Sequence, residues 1–106
     1  MQTSYFSKSA TLPNAVAISQ GVPKWFKGKT YKALAPSWAL ISIKDEVIYT
    51  REYHLQVLSK LDPKKVFSDL GEDAVLLCWE APDKFCHRRL VAKWLEENLN
   101  ITVPEL

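Results

Sequence analysis

The centre of the predicted domain is Ala74-Val-Leu-Leu-Cys-Trp-Glu80, then Ala81-Pro-Asp83, then Lys84-Phe-Cys-His-Arg-Arg-Leu-Val-Ala-Lys-Trp-Leu95. The first part is apolar on both alternating faces, which predicts a strand buried on both sides, as in a parallel sheet. The last part predicts an amphipathic helix over residues 84–98, with Asp83 as its N-cap. The predicted core stripe of this helix comprises His87, Leu90, Val91, Trp94 and Asn98.

The rest of the chain extends this unit into one α/β domain of 106 residues. Residues 15–19 are apolar and partly β-branched, which predicts a buried strand beside the first one. Helices are predicted over 37–44 (with a strand as the alternative) and over 45–61, with a start near Asp45 or Thr50. A further helix is predicted from Pro63 to Leu70 with Asp62 as N-cap. An edge strand is predicted over residues 101–104, and a loose arm is predicted over the polar residues 1–13. The expected fold is a small, mainly parallel sheet of about three to four strands flanked by helices.

Composition places the protein among ordinary soluble domains, with 47% hydrophobic and 25% charged residues. The chain has neither an 18-residue apolar run nor a hydrophobic signal sequence, so a cytoplasmic protein without membrane contact is expected. Cys78 and Cys86 are the only cysteines. In a reducing compartment both are expected to be free thiols.

Charge is unevenly distributed along the chain. Residues 1–44 contain six lysines and no acidic residue, whereas the remainder has eight basic and twelve acidic residues. Within residues 24–32, lysines alternate with aromatic residues, as nucleic-acid surfaces require for phosphate contact and base stacking. The candidate binding residues there are Lys24, Trp25, Lys27, Lys29 and Tyr31. The alternative is that Trp25, Phe26 and Tyr31 pack into the core while the lysines stay solvated.

Cys86, His87 and Arg88 are the residues best placed for chemistry. At a helix N-terminus, free amides and the helix dipole favour an anion or a thiolate. Arg88 and Arg89 are the candidate phosphate clamp, and Cys86 and His87 the candidate nucleophile and acid or base. The alternative is structural: Cys86 as a small buried apolar side chain and His87 as a hydrogen-bonded core residue.

A shared pocket for the two histidines is a further hypothesis. His54 and His87 each lie at the N-terminal end of an apolar helical stripe, and Glu80 ends the predicted strand. If both helices pack on one sheet, both imidazoles could reach one pocket, with Glu80 as the orienting carboxylate. The C-x7-C-H spacing lacks the close cysteine pair of structural zinc sites, so no metal is predicted. The sequence also has no glycine-rich nucleotide motif, and no cofactor is predicted.

These residues carry a family resemblance. The segments 76–80, 85–92 and 94–95 resemble the hallmark of the bacterial and phage family called domain of unknown function 488. Residues 15–19, 23–26 and 34–36 are similar to its shorter branch. The resemblance implies a compact α/β domain with a site around Cys86, His87, Arg88 and Glu80, but no reaction. Longer members have Asp-Val-Arg after the first strand, where this chain has Ala17-Ile-Ser19.

Two classes of function follow from the sequence. The first is a small enzyme or ligand-binding protein that holds the phosphate of a nucleotide or nucleic acid at the N-terminus of the 84–98 helix. The second is a non-catalytic module that binds nucleic acid or a protein through residues 24–32, as a small phage inhibitor of a host factor would.

Overall fold

The structure is a computed structural model and describes residues 1–80 and 85–106. The strands are β1 (Gln2–Tyr5), β2 (Ala15–Ala17), β3 (Lys29–Thr30) and β4 (Val75–Cys78). The helices are α1 (Phe6–Ser9), α2 (Trp38–Ile41), α3 (Glu46–Gln56), α4 (Pro63–Leu70) and α5 (His87–Leu99). Short 3-10 turns cover Lys32–Leu34 and Leu58–Lys60.

The four strands form one parallel sheet in the order β1-β4-β2-β3. The predicted α/β fold with a small parallel sheet and flanking helices is therefore confirmed. Strand β4 lies between β1 and β2, so Leu76 faces Thr3 on one neighbour and Val16 on the other. The prediction that the two apolar strands are adjacent is also confirmed.

Apolar residues cover both faces of the sheet, as the uninterrupted hydrophobic run in β4 requires. On one face, Val16, Ile18 and Leu76 join the larger core formed with helices α3, α4 and α5. On the other face, Val75 and Leu77 pack with Phe6 of α1 in a smaller core. Alternate residues of β4 thus belong to different cores, and all four are buried.

The prediction of a loose N-terminal arm over residues 1–13 was wrong. Residues 2–5 form edge strand β1, in which Thr3 and Ser4 are fully buried, and Phe6 of α1 enters the smaller core. The polar side chains are accommodated through hydrogen bonds, including the 2.6 Å bond between the hydroxyls of Ser4 and Ser9. Polar side chains can be buried in a strand when they are hydrogen-bonded to other groups of the protein.

The predicted helix starts in the middle of the chain are confirmed by their caps. Ser37 Oγ accepts a hydrogen bond from the amide of Leu40, which supports the helical interpretation of that segment. Asp45 and Asp62 cap α3 and α4 through their carboxylates. In each case the side chain satisfies an amide that has no partner within the helix.

Two element boundaries differ from the sequence prediction. Helix α5 begins at His87 with Cys86 as N-cap, not at residue 84, and the proposed cap Asp83 lies outside the described residues. The predicted edge strand at 101–104 is also absent from the described structure. The C-terminal segment instead touches β1 through a single bridge between Thr3 and Glu105. Within residues 1–80 and 85–106, no helix has the length and apolar character needed to cross a bilayer.

Candidate functional site

A cavity of about 480 Å³ opens at the carboxyl edge of the sheet. Its lining includes residues that follow β2, the last residue of β4 with the two that follow it, and the first residue of α5. In open parallel sheets, ligands bind at this edge because the loops that follow neighbouring strands diverge there. The lining residues are Ser19, Gln20, Gly21, Val22, Pro36, Trp38, Ile41, Ile43, Tyr49, Cys78, Trp79, Glu80, Phe85, Cys86 and His87.

Aromatic side chains form much of the cavity wall. Tyr49 stacks on Tyr53 and meets the edge of Phe85, with ring centroids 5.4 Å apart in the second pair. Trp79 donates a 2.9 Å hydrogen bond from Nε1 to the carbonyl of Gly21, which joins the segments that follow β4 and β2. Trp38 lines the cavity while 67% exposed. Flat apolar surfaces of this kind suit a ligand with an aromatic part.

The cysteines depart from the sequence prediction. Cys78 and Cys86 are joined by a disulfide, whereas free thiols were expected. The end of β4 and the residue before α5 meet at the cavity. The prediction of free thiols considered only a reducing compartment and not how close the fold brings the two cysteines. While the disulfide is intact, Cys86 has no thiolate and cannot be the nucleophile proposed from the sequence.

His87 lies beside the disulfide and is 5% exposed. Its Nε2 is 2.6 Å from the carbonyl oxygen of Ile18, and its Nδ1 is 3.7 Å from Cys86 Sγ. A carbonyl only accepts hydrogen bonds, so Nε2 carries the proton and Nδ1 has a free lone pair. Burial lowers the pKa of His87 to about 4, and the nearby charge of Arg88 acts in the same direction. The imidazole is therefore neutral at neutral pH.

Arg88 is not placed as the predicted phosphate clamp, because its guanidinium is 1% exposed and bound to protein atoms. It forms a 2.7 Å ion pair with Glu105 and donates to Cys78 Sγ and to the carbonyl of Glu80. Burial raises the pKa of Glu105, but hydrogen bonds from Arg88 and Thr3 outweigh burial and leave that pKa below its usual value. Arg88 thus holds the end of β4, the start of α5 and the C-terminal segment together.

Arg89, the other half of the predicted clamp, points away from the cavity. Its Nη1 donates to Thr3 Oγ1 and to the carbonyl of Val103, both at 2.9 Å. Among the described residues, the cavity lining contains no lysine or arginine. Arg88 and Arg89 are therefore both bound to other groups of the protein.

The predicted convergence of His54 and His87 was wrong. His54 is exposed on α3, whereas the buried residues of that helix are Tyr49 and Tyr53. The Tyr53 hydroxyl, although buried on the core side, has a partner because it donates a hydrogen bond to the carbonyl of Leu34. Glu80 does line the cavity, but the polar contacts of His87 among the described residues are with the Ile18 carbonyl and Cys86 Sγ rather than with a carboxylate.

The basic aromatic loop, residues 24–32, combines features of a nucleic-acid-binding surface with features of a loop whose aromatic residues pack inward. Trp25 is 58% exposed, and Lys24, Lys27 and Lys29 are exposed. Phe26, however, packs against Phe6, and Tyr31 donates a hydrogen bond to Asp69. Burial and the Asp69 hydrogen bond raise the pKa of Tyr31 to about 12. The loop therefore presents four lysines, including Lys32, and the Trp25 ring to solvent.

Sequence reasoning missed Ser19, Gln20 and Gly21, as well as the aromatic wall. A usable signal existed for the first group, because residues 19–21 come shortly after β2, and β2 was correctly predicted to lie next to β4. The carboxyl ends of adjacent parallel strands meet at one edge, so residues after each strand share a site. Trp38 and Tyr49 belong to helices α2 and α3, and the local sequence pattern did not indicate which side of these helices faces the cavity.

Comparison of the chain with family models, with curated proteins and with solved structures finds no match. The resemblance to domain of unknown function 488 therefore stays a prediction.

Proposed function

We propose that the protein binds a nucleotide-type ligand in the cavity at the carboxyl edge of the sheet. The aromatic wall carries this proposal: Trp38, Tyr49, Trp79 and Phe85 offer flat surfaces against which a base can stack. Apolar lining with a few polar groups is typical of small-molecule sites. Here the polar groups include Ser19, Gln20 and Glu80.

The phosphate of such a ligand would lie toward the start of α5. The first amides of a helix have no intrahelical acceptor, and the positive end of the dipole favours negative charge. His87 begins α5 and lines the cavity. Since Arg88 and Arg89 have internal partners, these amides replace the arginine clamp in the proposal.

Fluorescence or calorimetric titration of a nucleoside, its monophosphate and its diphosphate tests this function. Trp38→Ala removes a largely exposed ring from the cavity wall, so the fold should tolerate it. Base stacking is worth about 1–3 kcal/mol, or roughly 5- to 150-fold in Kd. The matched control is Trp25→Ala, which removes an exposed ring outside the cavity.

The proposal expects weaker nucleotide binding by Trp38→Ala and unchanged binding by Trp25→Ala. Equal effects of the two substitutions, or no binding of any compound in the series, would overturn it. Equal affinity for the nucleoside and its phosphates would remove the phosphate assignment.

A second candidate function is binding of single-stranded nucleic acid through residues 24–32. The observation that favours it is the exposed Trp25 ring beside Lys24 and Lys27. Neutralising Lys24, Lys27 and Lys29 together should reduce the salt dependence of oligonucleotide binding by about 0.7 per lost phosphate contact. A triple variant of Lys60, Lys64 and Lys93, three exposed lysines outside this loop, is the control. Equal losses in both variants would show nonspecific charge attraction and contradict a dedicated surface.

A further inference from the structure

Three side chains with metal-binding atoms meet at the inner end of the cavity. Cys78 ends β4, Cys86 precedes α5, and His87 is the first residue of α5. Their two sulfurs and an imidazole nitrogen lie within 4.8 Å of one another, and all three residues line the cavity. Two thiolates and one imidazole form a ligand set that zinc prefers.

The histidine is already oriented as a metal ligand. Its Nε2–H donates to the carbonyl of Ile18 at 2.6 Å, so the lone pair of Nδ1 points to the cysteine side. Metal-bound histidines usually use their second nitrogen in this way, because the outer hydrogen bond fixes the tautomer and the ring orientation. The carbonyl of Ile18, the residue after β2, accepts that bond here.

The surroundings of Cys78 favour a charged sulfur. Arg88 Nη1 lies 3.0 Å from Cys78 Sγ, and a buried guanidinium stabilises a thiolate at that distance. The Cα atoms of Cys78 and Cys86 are 7.3 Å apart. Disulfides usually have Cα separations of about 4.4–6.8 Å. Two thiolates bound about 2.3 Å from a shared ion span a longer distance than a disulfide, which suits this backbone.

We propose that the reduced protein binds one divalent, thiolate-preferring metal ion such as zinc through Cys78, Cys86 and His87. Because all three residues line the cavity, an ion held by them would keep one coordination position for water or a ligand, as catalytic rather than structural zinc sites do. A water molecule or a ligand donor atom could occupy that position. This inference goes beyond the nucleotide proposal and does not depend on it, because metal binding is measured without any ligand.

Formation of the site requires two balanced steps. A dithiol reductant first supplies two electrons and two protons to the Cys78–Cys86 bond and becomes a disulfide itself. The ion then binds the two sulfurs and Nδ1 of His87, and the two thiol protons are released to solvent. The disulfide and the metal-bound form are therefore alternative states of the same pair.

Cobalt titration of the reduced protein under anaerobic conditions tests the site. We expect one cobalt ion per chain, absorption bands from thiolate-to-cobalt charge transfer, and displacement of cobalt by zinc. Cys86→Ser and His87→Gln should each weaken binding by more than the roughly 10- to 100-fold typical of losing an outer-shell partner. His54→Gln removes the exposed histidine and should leave the affinity unchanged.

X-ray absorption on the wild-type cobalt complex keeps the test decisive if the buried variants fail to fold. Two sulfur ligands and at least one nitrogen ligand would support the site, and a shell without sulfur would overturn it. Absence of cobalt binding, or a disulfide that persists in excess reductant, would overturn it as well. Unchanged binding by folded His87→Gln would also contradict the three-ligand site. None of these results bears on the Trp38 titration.

Discussion

Arg88 and Glu105 form an ion pair in which Nη2 and Oε2 are 2.7 Å apart and the arginine side chain is 1% exposed. The same guanidinium donates to Cys78 Sγ and to the carbonyl of Glu80. Arg88 therefore connects the end of β4 and the start of α5 with the C-terminal segment. Desolvating an arginine costs several kcal/mol unless a partner compensates for it. Glu105 is that partner.

Glu105→Gln should therefore destabilise the protein. Loss of a buried pair's partner costs about 3–5 kcal/mol, and partial exposure of Glu105 lowers the expected loss to about 2 kcal/mol. Urea unfolding monitored by circular dichroism measures this change. Glu97→Gln is the matched control, since Glu97 is exposed on α5 and should change stability by less than about 0.5 kcal/mol. A loss at Glu105 no larger than at Glu97 would contradict the role assigned to the pair.

The buried His87 predicts a loss of stability in mild acid. Its pKa is about 4 in the folded protein against 6.5 for a free imidazole. Between these values the unfolded chain takes up a proton that the folded chain rejects, so the free energy of unfolding falls as pH falls from 6.5 toward 4. The full difference corresponds to about 3 kcal/mol, and stability is unaffected above pH 6.5.

Urea unfolding of the oxidised protein at about pH 7 and about pH 5, with a chelator present, measures this effect. His87→Gln should have a flatter profile over that interval because it lacks the titrating ring. His54→Gln is the control and should keep the wild-type profile. If His87→Gln loses as much stability between the two pH values as the wild type does, another group is responsible.

Local sequence signals predicted the layout of the fold but not the composition of the site. Short-range rules placed β4, β2 and the capped helices correctly, because caps and apolar runs act over a few residues. The site depends on contacts between distant segments, such as His87 with Ile18 and Arg88 with Glu105. Such pairs leave no periodicity in the sequence. Arg88 therefore looked like an anion ligand, although it is bound internally.

Tyr53 should contribute through its hydroxyl group. The ring is fully buried, and the hydroxyl donates a 2.5 Å hydrogen bond to the carbonyl of Leu34, which ties α3 to the turn before α2. Tyr53→Phe leaves that buried acceptor without its partner at a cost of about 1–3 kcal/mol. Thermal unfolding measures the change, with Tyr5→Phe as control for a half-buried tyrosine in β1. Equal melting temperatures for Tyr53→Phe and the wild type would show that the bond adds no stability.

Gly28 is required by close packing at the start of β3. A Cβ atom at this position would lie 2.5 Å from Phe26 Cζ and 3.0 Å from the backbone oxygen of Ala15. Phe26 has little freedom to move because its ring already meets Phe6, and the Ala15 oxygen belongs to β2. Gly28→Ala should therefore cost about 1–3 kcal/mol through overpacking.

Gly21→Ala is the natural control for this packing argument. Apart from its two chain neighbours, no described residue has an atom within 4 Å of a Cβ built at Gly21, so the substitution should change stability by less than about 0.5 kcal/mol. Both glycines lie between β2 and β3, and both substitutions restrict the unfolded chain in the same way. A difference between them therefore isolates the steric contact at Gly28. If urea unfolding gives the same stability for both variants, β3 can shift away from β2 without cost.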